Sequence, residues 1–312
     1  MSKSGIYWLA SYPKSGNTWF RTFLRNLQED GDTPVDINDL STGNIASSRE
    51  WLDEVLGFDT AELDPDEVDR LRPEVYRWSL KDDGIGYHKI HDAYTFTREG
   101  DPLVSREATL GALYILRNPL DVAPSYANHN RSSIDDAITR MGDSDHALCK
   151  SRKSLPNQVR QRLLNWSNHV LSWVDVPDLK CHVIRYEDML HNPIPTFTEA
   201  VRFLRLPDDP VRIEKAIRFS DFRELARQEE EKGFRERPPT TERFFRQGKS
   251  GDWRDKLTRD QAARVILHHG PVMRRFGYLD AHGQPVDQVG NSLAPGERWL
   301  PGLGGPVSLT CG

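Results

Sequence analysis

ASYPKSGNTWF, Ala10 to Phe20, places Lys14, Ser15 and Gly16 in a turn between two contrasting patterns. Before it, Ile6-Tyr-Trp-Leu-Ala10 is a short β-rich apolar run and reads as a buried strand. After it, Trp19, Phe20, Phe23, Leu24 and Leu27 recur at helical spacing, and Gly31 marks the end of the helix. The segment is therefore a strand-to-helix turn. Free backbone N–H groups at a helix start, with the positive end of the helix dipole, favour an anion. Lys14 adds a full charge, Ser15, Asn17 and Thr18 add side-chain donors, and Gly16 permits close approach of backbone to ligand. The Gly-x4-Gly-Lys-Ser/Thr order of nucleoside-triphosphate loops is absent.

Further along, Gly86–His91, Ala112–Leu116 and His182–Tyr186 read as strands. Helical patterns cover Ser48–Leu56, Asp64–Arg72, Val159–Val174, Ile194–Leu206, Pro210–Phe219 and Thr258–Phe276. Strands alternating with helices predict an α/β fold: a P-loop-like open parallel sheet with helices on both faces, in a single domain. Asp221–Lys256 is charge-dense with few apolar positions and reads as a long surface loop. Residues 281–312 hold seven glycines and four prolines, a C-terminal extension with little helix or strand potential beyond a domain of residues 1–280.

A net charge of -5 gives no polycation for nucleic acid. The three cysteines form no CxxC or Cys/His pattern, and no Asp/Glu cluster has magnesium spacing, so no metal is expected. No apolar stretch is long enough to span a membrane, and the reading is a cytoplasmic protein.

In an open parallel sheet, ligands bind beyond the carboxyl ends of the strands. Two more segments fall at that edge. LRNPLDVAPSY offers Arg117 and Ser125 to a second anion. In GYHKIHDAY, alternation puts Tyr87, Lys89 and His91 on one strand face and His88 on the other.

Three segments together resemble the PAPS-dependent sulfotransferases. S-Y-P-K-S-G-N-T-W is similar to their 5′-phosphosulfate loop, departing at Ser11 and Asn17. Arg117, Asn118, Asp121 and Ser125 align with their R-N-x-x-D-x-x-x-S segment for the 3′-phosphate. FFRQGKSGDWRDKLT resembles their late R-K-G-x-x-G-D-W element, with Gln247 in place of the lysine. The resemblance runs from about Ile6 to Tyr278. It implies transfer of the sulfuryl group of PAPS to a small-molecule hydroxyl, with release of PAP and no metal. His91 would be the catalytic base, Lys14 would stabilise the leaving phosphate oxygen and Lys89 the sulfuryl oxygens, and Ser125 would hold Lys14 back until an acceptor arrives. Arg246, Gln247 and Gly248 would close over the 3′-phosphate, and Trp19 and Tyr186 would approach the adenine. Acceptor choice would lie in 31–85, 128–155 and 224–245, where the family pattern is weakest.

The family's dimer element is poorly matched: Arg259 and Ala263 stand where it has valine and glutamate, which leaves the oligomeric state open. The rival reading is a P-loop nucleotide kinase or NTPase, which would need the missing Gly-Lys-Ser/Thr order and a metal.

Overall fold

The computed structural model describes residues 4–80, 84–150, 155–237, 241–246 and 248–286, and the backbone of 297–298 and 307–308. The chain begins with β1 (Gly5–Ala10), α1 (Asn17–Glu29), α2 (Arg49–Leu56), α3 (Pro65–Trp78), β2 (Ile85–Ile90) and β3 (Thr109–Leu116). It continues through α4 (Pro119–His129), α5 (Ile134–Gly142), β4 (Ala147–Leu148), β5 (Gln161–Arg162), α6 (Trp166–Val174) and β6 (Cys181–Arg185). The last part holds α7 (Tyr186–His191), α8 (Pro193–Phe203), α9 (Pro210–Phe219), α10 (Phe222–Lys232), α11 (Trp253–Lys256) and α12 (Arg259–Arg275), then β7 (Glu297–Arg298) and β8 (Val307–Ser308).

Four strands form one parallel sheet in the order β2-β1-β3-β6. The central pair explains its own sequence: strands covered on both faces are apolar throughout, and all six residues of β1 are buried. Alternation divides them between two layers. Tyr7 and Leu9 join Leu113 and Ile115 against Phe20, Phe23 and Leu24 of α1, Phe197 of α8 and Ile213 of α9. Trp8 and Ala10 join Ala112 and Tyr114 against Val75 of α3, Leu120 of α4, Trp166 and Trp173 of α6 and Met273 of α12. Helices thus cover both faces, as expected for this single-domain α/β fold. The register aligns Leu9 with Lys89 and Leu113, so β1, β2 and β3 deliver their carboxyl ends to one edge.

Several elements depart from the sequence reading. The stretch expected as a long loop over Asp221–Lys256 contains α10, whose start is capped by the Asp221 carboxylate accepting from the Arg223 N–H at 2.8 Å. Its buried face carries Gln228 and Glu229 beside Leu225, so the helical period is not written in apolar residues. Gln228 is satisfied there, accepting from the Ile37 amide at 3.0 Å and donating to the Val35 carbonyl at 3.0 Å. The helix expected from Val159 starts at Trp166, because Asn165 caps it through the Asn168 N–H at 2.8 Å, while Gln161–Arg162 pairs with Ala147–Leu148. Helix α3 passes beyond Arg72 to Trp78 despite Pro73: Val75 and Tyr76 are fully buried, and tertiary packing overrides the local break. In the C-terminal extension, Glu297–Arg298 pairs antiparallel with Val307–Ser308 where composition suggested no strand; so short a ladder asks little of propensity.

Among the described residues no helix is long and apolar enough to cross a membrane. The described cysteines, Cys149 and Cys181, are free.

Candidate active site

The turn after β1 is shaped by two left-handed residues, Lys14 at φ 69° and Gly16 at φ 102°. Gly16 is the N-cap of α1 and no side chain caps that helix, so its first amides face outward without an intrahelical partner. Asn17 is oriented inward: its amide donates to the Leu9 carbonyl at 2.9 Å and to Ser11 Oγ at 3.2 Å, clamping the turn onto the end of β1. What Asn17 offers outward is its backbone N–H rather than the side-chain donor anticipated from sequence. Gly16 is required twice over. Its φ is strained for any other residue, and a Cβ there would lie 2.7 Å from Cδ2 of Tyr186. Gly16→Ala is expected to cost about 1–3 kcal/mol of stability and to lower Tm in a thermal melt; an unchanged Tm would contradict this conformation of the turn.

Around the turn lies a cavity of about 650 Å³. Gly16, Asn17, Thr18 and Trp19 line it from α1, Lys89 and His91 from the end of β2, Arg117 and Ser125 from β3 and α4, Tyr186 from α7, and Arg246 and Gly248 from the late segment. Lys14 projects into it as well. Ser15 sits behind the wall, 1% exposed. Gln247 lies outside the described residues. Each of the three stretches assigned to acceptor choice reaches the cavity: Ile45 from the first, His129, Asn130 and Leu148 from the second, and Leu225, Arg235 and Phe244 from the third.

The Arg117 guanidinium carbon lies over the Tyr186 ring, 4.2 Å from its centroid, while Nη1 donates to the Lys14 carbonyl at 3.1 Å and Nη2 to the Lys249 carbonyl at 3.4 Å. The guanidinium thereby ties the first loop to the late one. Trp19 meets Tyr186 edge-on at 5.5 Å and Phe197 at 5.9 Å, an aromatic wall beside Arg117. Buried Ser15 Oγ, Trp19 Nε1 and Arg117 Nε have no hydrogen-bond partner among the described residues. Such groups are costly unless satisfied, and with the uncapped amides and Lys14 they fit a polyanionic ligand carrying an aromatic group.

Two supporting carboxylates were not assigned a role from sequence. Asp121 accepts from the Gly251 amide at 2.8 Å and the Trp253 amide at 3.0 Å, which anchors the Gly-Asp-Trp turn to α4. Glu187 accepts from the Asn118 amide at 3.0 Å and from the Tyr278 hydroxyl at 2.9 Å. Burial pushes the Glu187 carboxyl up, against the Asn118 amide bond.

The hydrogen-bond partners of His91, the Ser11 carbonyl and, at 3.3 Å, Ser11 Oγ, assign its tautomer. Its Nδ1 lies 2.8 Å from the Ser11 carbonyl, which can only accept, so Nδ1 carries the proton and Nε2 keeps its lone pair. Burial, and then the neighbouring Lys89 charge, hold its pKa well below the usual 6.5, so the ring is neutral near pH 7. His88 points to the opposite face of β2, stacked on Trp51 at 4.8 Å with Nδ1 3.2 Å from the Asn44 carbonyl.

The two lysines are held differently. Lys14 Nζ sits 4.0 Å over the Phe244 ring, and burial, followed by the charges of Arg117, Lys89 and Arg246, lowers its pKa to about 7. Lys89 donates to Glu236 at 3.0 Å. Among the described residues no group of three or more His, Cys, Asp or Glu is placed to hold a metal ion.

The sulfotransferase domain profile matches residues 6–277 of the chain. The chain belongs to the sulfotransferase family. Among curated members, flavonol 3-sulfotransferase of Flaveria bidentis is 24% identical over 274 residues, covering 82% of this sulfotransferase and 78% of the relative. Cytosolic sulfotransferase 17 of Arabidopsis thaliana is 22% identical over 271 residues, covering 83% and 71%. Among solved structures, mouse sulfotransferase SULT7A1 complexed with PAP superposes with a TM-score of 0.56 at 19% identity, covering 88% of this chain and 84% of that one. Retinol dehydratase in complex with androsterone and PAP gives 0.54 at 18% identity, covering 86% and 80%. At such identities the structures share the fold of this sulfotransferase.

Proposed function

We propose that this sulfotransferase is a cytoplasmic enzyme that moves the sulfuryl group of PAPS to the hydroxyl of a small-molecule acceptor, releasing PAP. One observation carries the reading: the uncapped start of α1 with Lys14, the Arg117–Ser125 segment, and the Lys89–His91 pair all line the same cavity. PAPS supplies the activated sulfuryl group on its 5′-phosphate and a second anion on its 3′-phosphate. The α1 amides, Ser15 and Thr18 would hold the 5′ end. Arg117 and Ser125, with Arg246, Gln247 and Gly248 closing above, would hold the 3′-phosphate, and Trp19 and Tyr186 would flank the adenine.

For the chemistry, neutral His91 would take the acceptor's hydroxyl proton on Nε2 as the oxygen attacks sulfur in line. Lys89 would offset charge on the sulfuryl oxygens, and Lys14 would stabilise, or protonate, the departing phosphate oxygen. A lysine near 7 suits that last role, since it can carry the proton at neutral pH and give it up readily. The catalytic unit would comprise residues 1–280, with 281–312 an appended extension. Incubation with ³⁵S-labelled PAPS and a panel of phenols and alcohols in EDTA tests the activity; radioactivity should move to an acceptor and PAP should accumulate, and metal-dependent phosphoryl transfer instead would restore the kinase reading.

The lowered pKa of Lys14 carries a further expectation. Only the protonated amine attracts the nucleotide's phosphates, so PAP affinity should be greatest below pH 7 and fall as pH rises through about 7. Above pH 7, binding should take up a fraction of a proton, visible as heats of binding that vary with buffer ionisation enthalpy. Lys14→Ala should remove that dependence.

A further inference from the structure

Glu236 lies in the cavity wall and bridges two cations: Oε2 accepts from Lys89 Nζ at 3.0 Å and Oε1 from Arg21 Nη1 at 2.7 Å. Arg21, with its side chain 5% exposed, is itself fixed by donating to the Leu40 carbonyl at 3.2 Å. The backbone beside Glu236 is fastened as well. The Arg235 amide donates to Asn38 Oδ1 at 2.7 Å, Asn38 donates back to the Gly233 carbonyl at 3.1 Å, and Phe234 is buried with Ile37, Leu225 and Phe245. A carboxylate clamped from both sides and aimed at one lysine is a positioning device.

We propose that Glu236 is a positioning residue for sulfuryl transfer: braced by Arg21, it holds the Lys89 ammonium charged and aimed at the transferring group beside His91. The inference rests on the roles of Lys89 and His91 given above. Lysine has four rotatable side-chain bonds and loses considerable rotamer entropy when fixed; a ready-made partner orients it before the donor and acceptor arrive. The groups around the pair are Lys14 from the first loop, Arg21 from α1, His129 from α4, His169 from α6, and Glu236. All but Glu236 are cationic or neutral, and among the described residues Glu236 opposes the loss of charge that burial would impose on Lys89. Against the cost of burial, Lys89 and Arg21 keep the Glu236 carboxyl down at about 2, so it is ionised throughout the working range.

The test compares Glu236→Gln in the wild type and in Lys89→Ala, using ³⁵S transfer from PAPS to one alcohol acceptor across pH, with melts to confirm folding. Acting through Lys89, Glu236→Gln should lower kcat roughly tenfold or more in the wild type and less than about threefold in Lys89→Ala. KM for PAPS should change little, and Glu236→Asp should recover most of the rate. The alkaline limb of the pH profile should move to lower pH, because removing the carboxylate removes the charge and the hydrogen bond that raise the Lys89 pKa. An equal loss in both backgrounds, or a loss matched only by lower Tm with an unmoved profile, would overturn the inference and leave the Lys89 role standing. Full activity in Lys89→Ala would overturn both.

Discussion

His91→Ala should lower kcat with an alcohol acceptor by roughly 10²–10⁴-fold while leaving PAP affinity within about threefold of wild type. The split follows from geometry. His91 lies at the end of β2 with Nδ1 facing the Ser11 carbonyl, so Nε2 would serve the acceptor while the proposed anion poles lie elsewhere, at the start of α1 and at Arg117 and Ser125. Steady-state rates and calorimetric PAP binding check the two halves separately. A phenol, which ionises more readily than an alcohol, should lose less. The pH profile carries a sign: His91 must be neutral to act, and its pKa is lowered, so the acidic limb of kcat/KM should fall well below pH 6.5 and activity should persist until pH drops through that lowered value. Full turnover of an alcohol by His91→Ala would assign the base elsewhere.

Arg117→Ala should produce the largest binding defect, about 3 kcal/mol or roughly a hundredfold in PAP affinity, the scale of losing a forked, charge-assisted contact to phosphate. ADP lacks the 3′-phosphate and should be affected far less, so the preference for PAP over ADP should shrink. Arg117→Lys should not restore it, because an ammonium cannot reproduce the fork or the stacking on Tyr186 at 4.2 Å. Paired titrations of both nucleotides check this; parallel losses for PAP and ADP would mean that Arg117 acts by holding the Lys14 and Lys249 carbonyls rather than the 3′-phosphate.

Much of this architecture was readable in the chain. The switch from the apolar run Ile6–Ala10 to the helical spacing of Trp19, Phe20 and Phe23 located β1, the turn after it and α1, and strand alternation separated His91 from His88. These signals are local. Helix α10 was hidden because its buried face uses Gln228 and Glu229, whose polar groups find partners outside the helix, such as the Ile37 and Phe244 amides. Glu236 was likewise illegible: it sits in a charge-dense stretch, and the residues that give it meaning, Lys89 and Arg21, lie 147 and 215 positions away. Asp121 was visible as part of a motif, but its task, accepting from the Gly251 and Trp253 amides, exists only once α4 meets the late loop.

A site with two separate anion-binding poles and no need of a metal should show itself in calorimetric titration of PAP against ADP, both in EDTA. PAP should bind at about micromolar Kd or tighter, with ADP far weaker. Equal affinities, or binding that appears only when magnesium is restored, would contradict it.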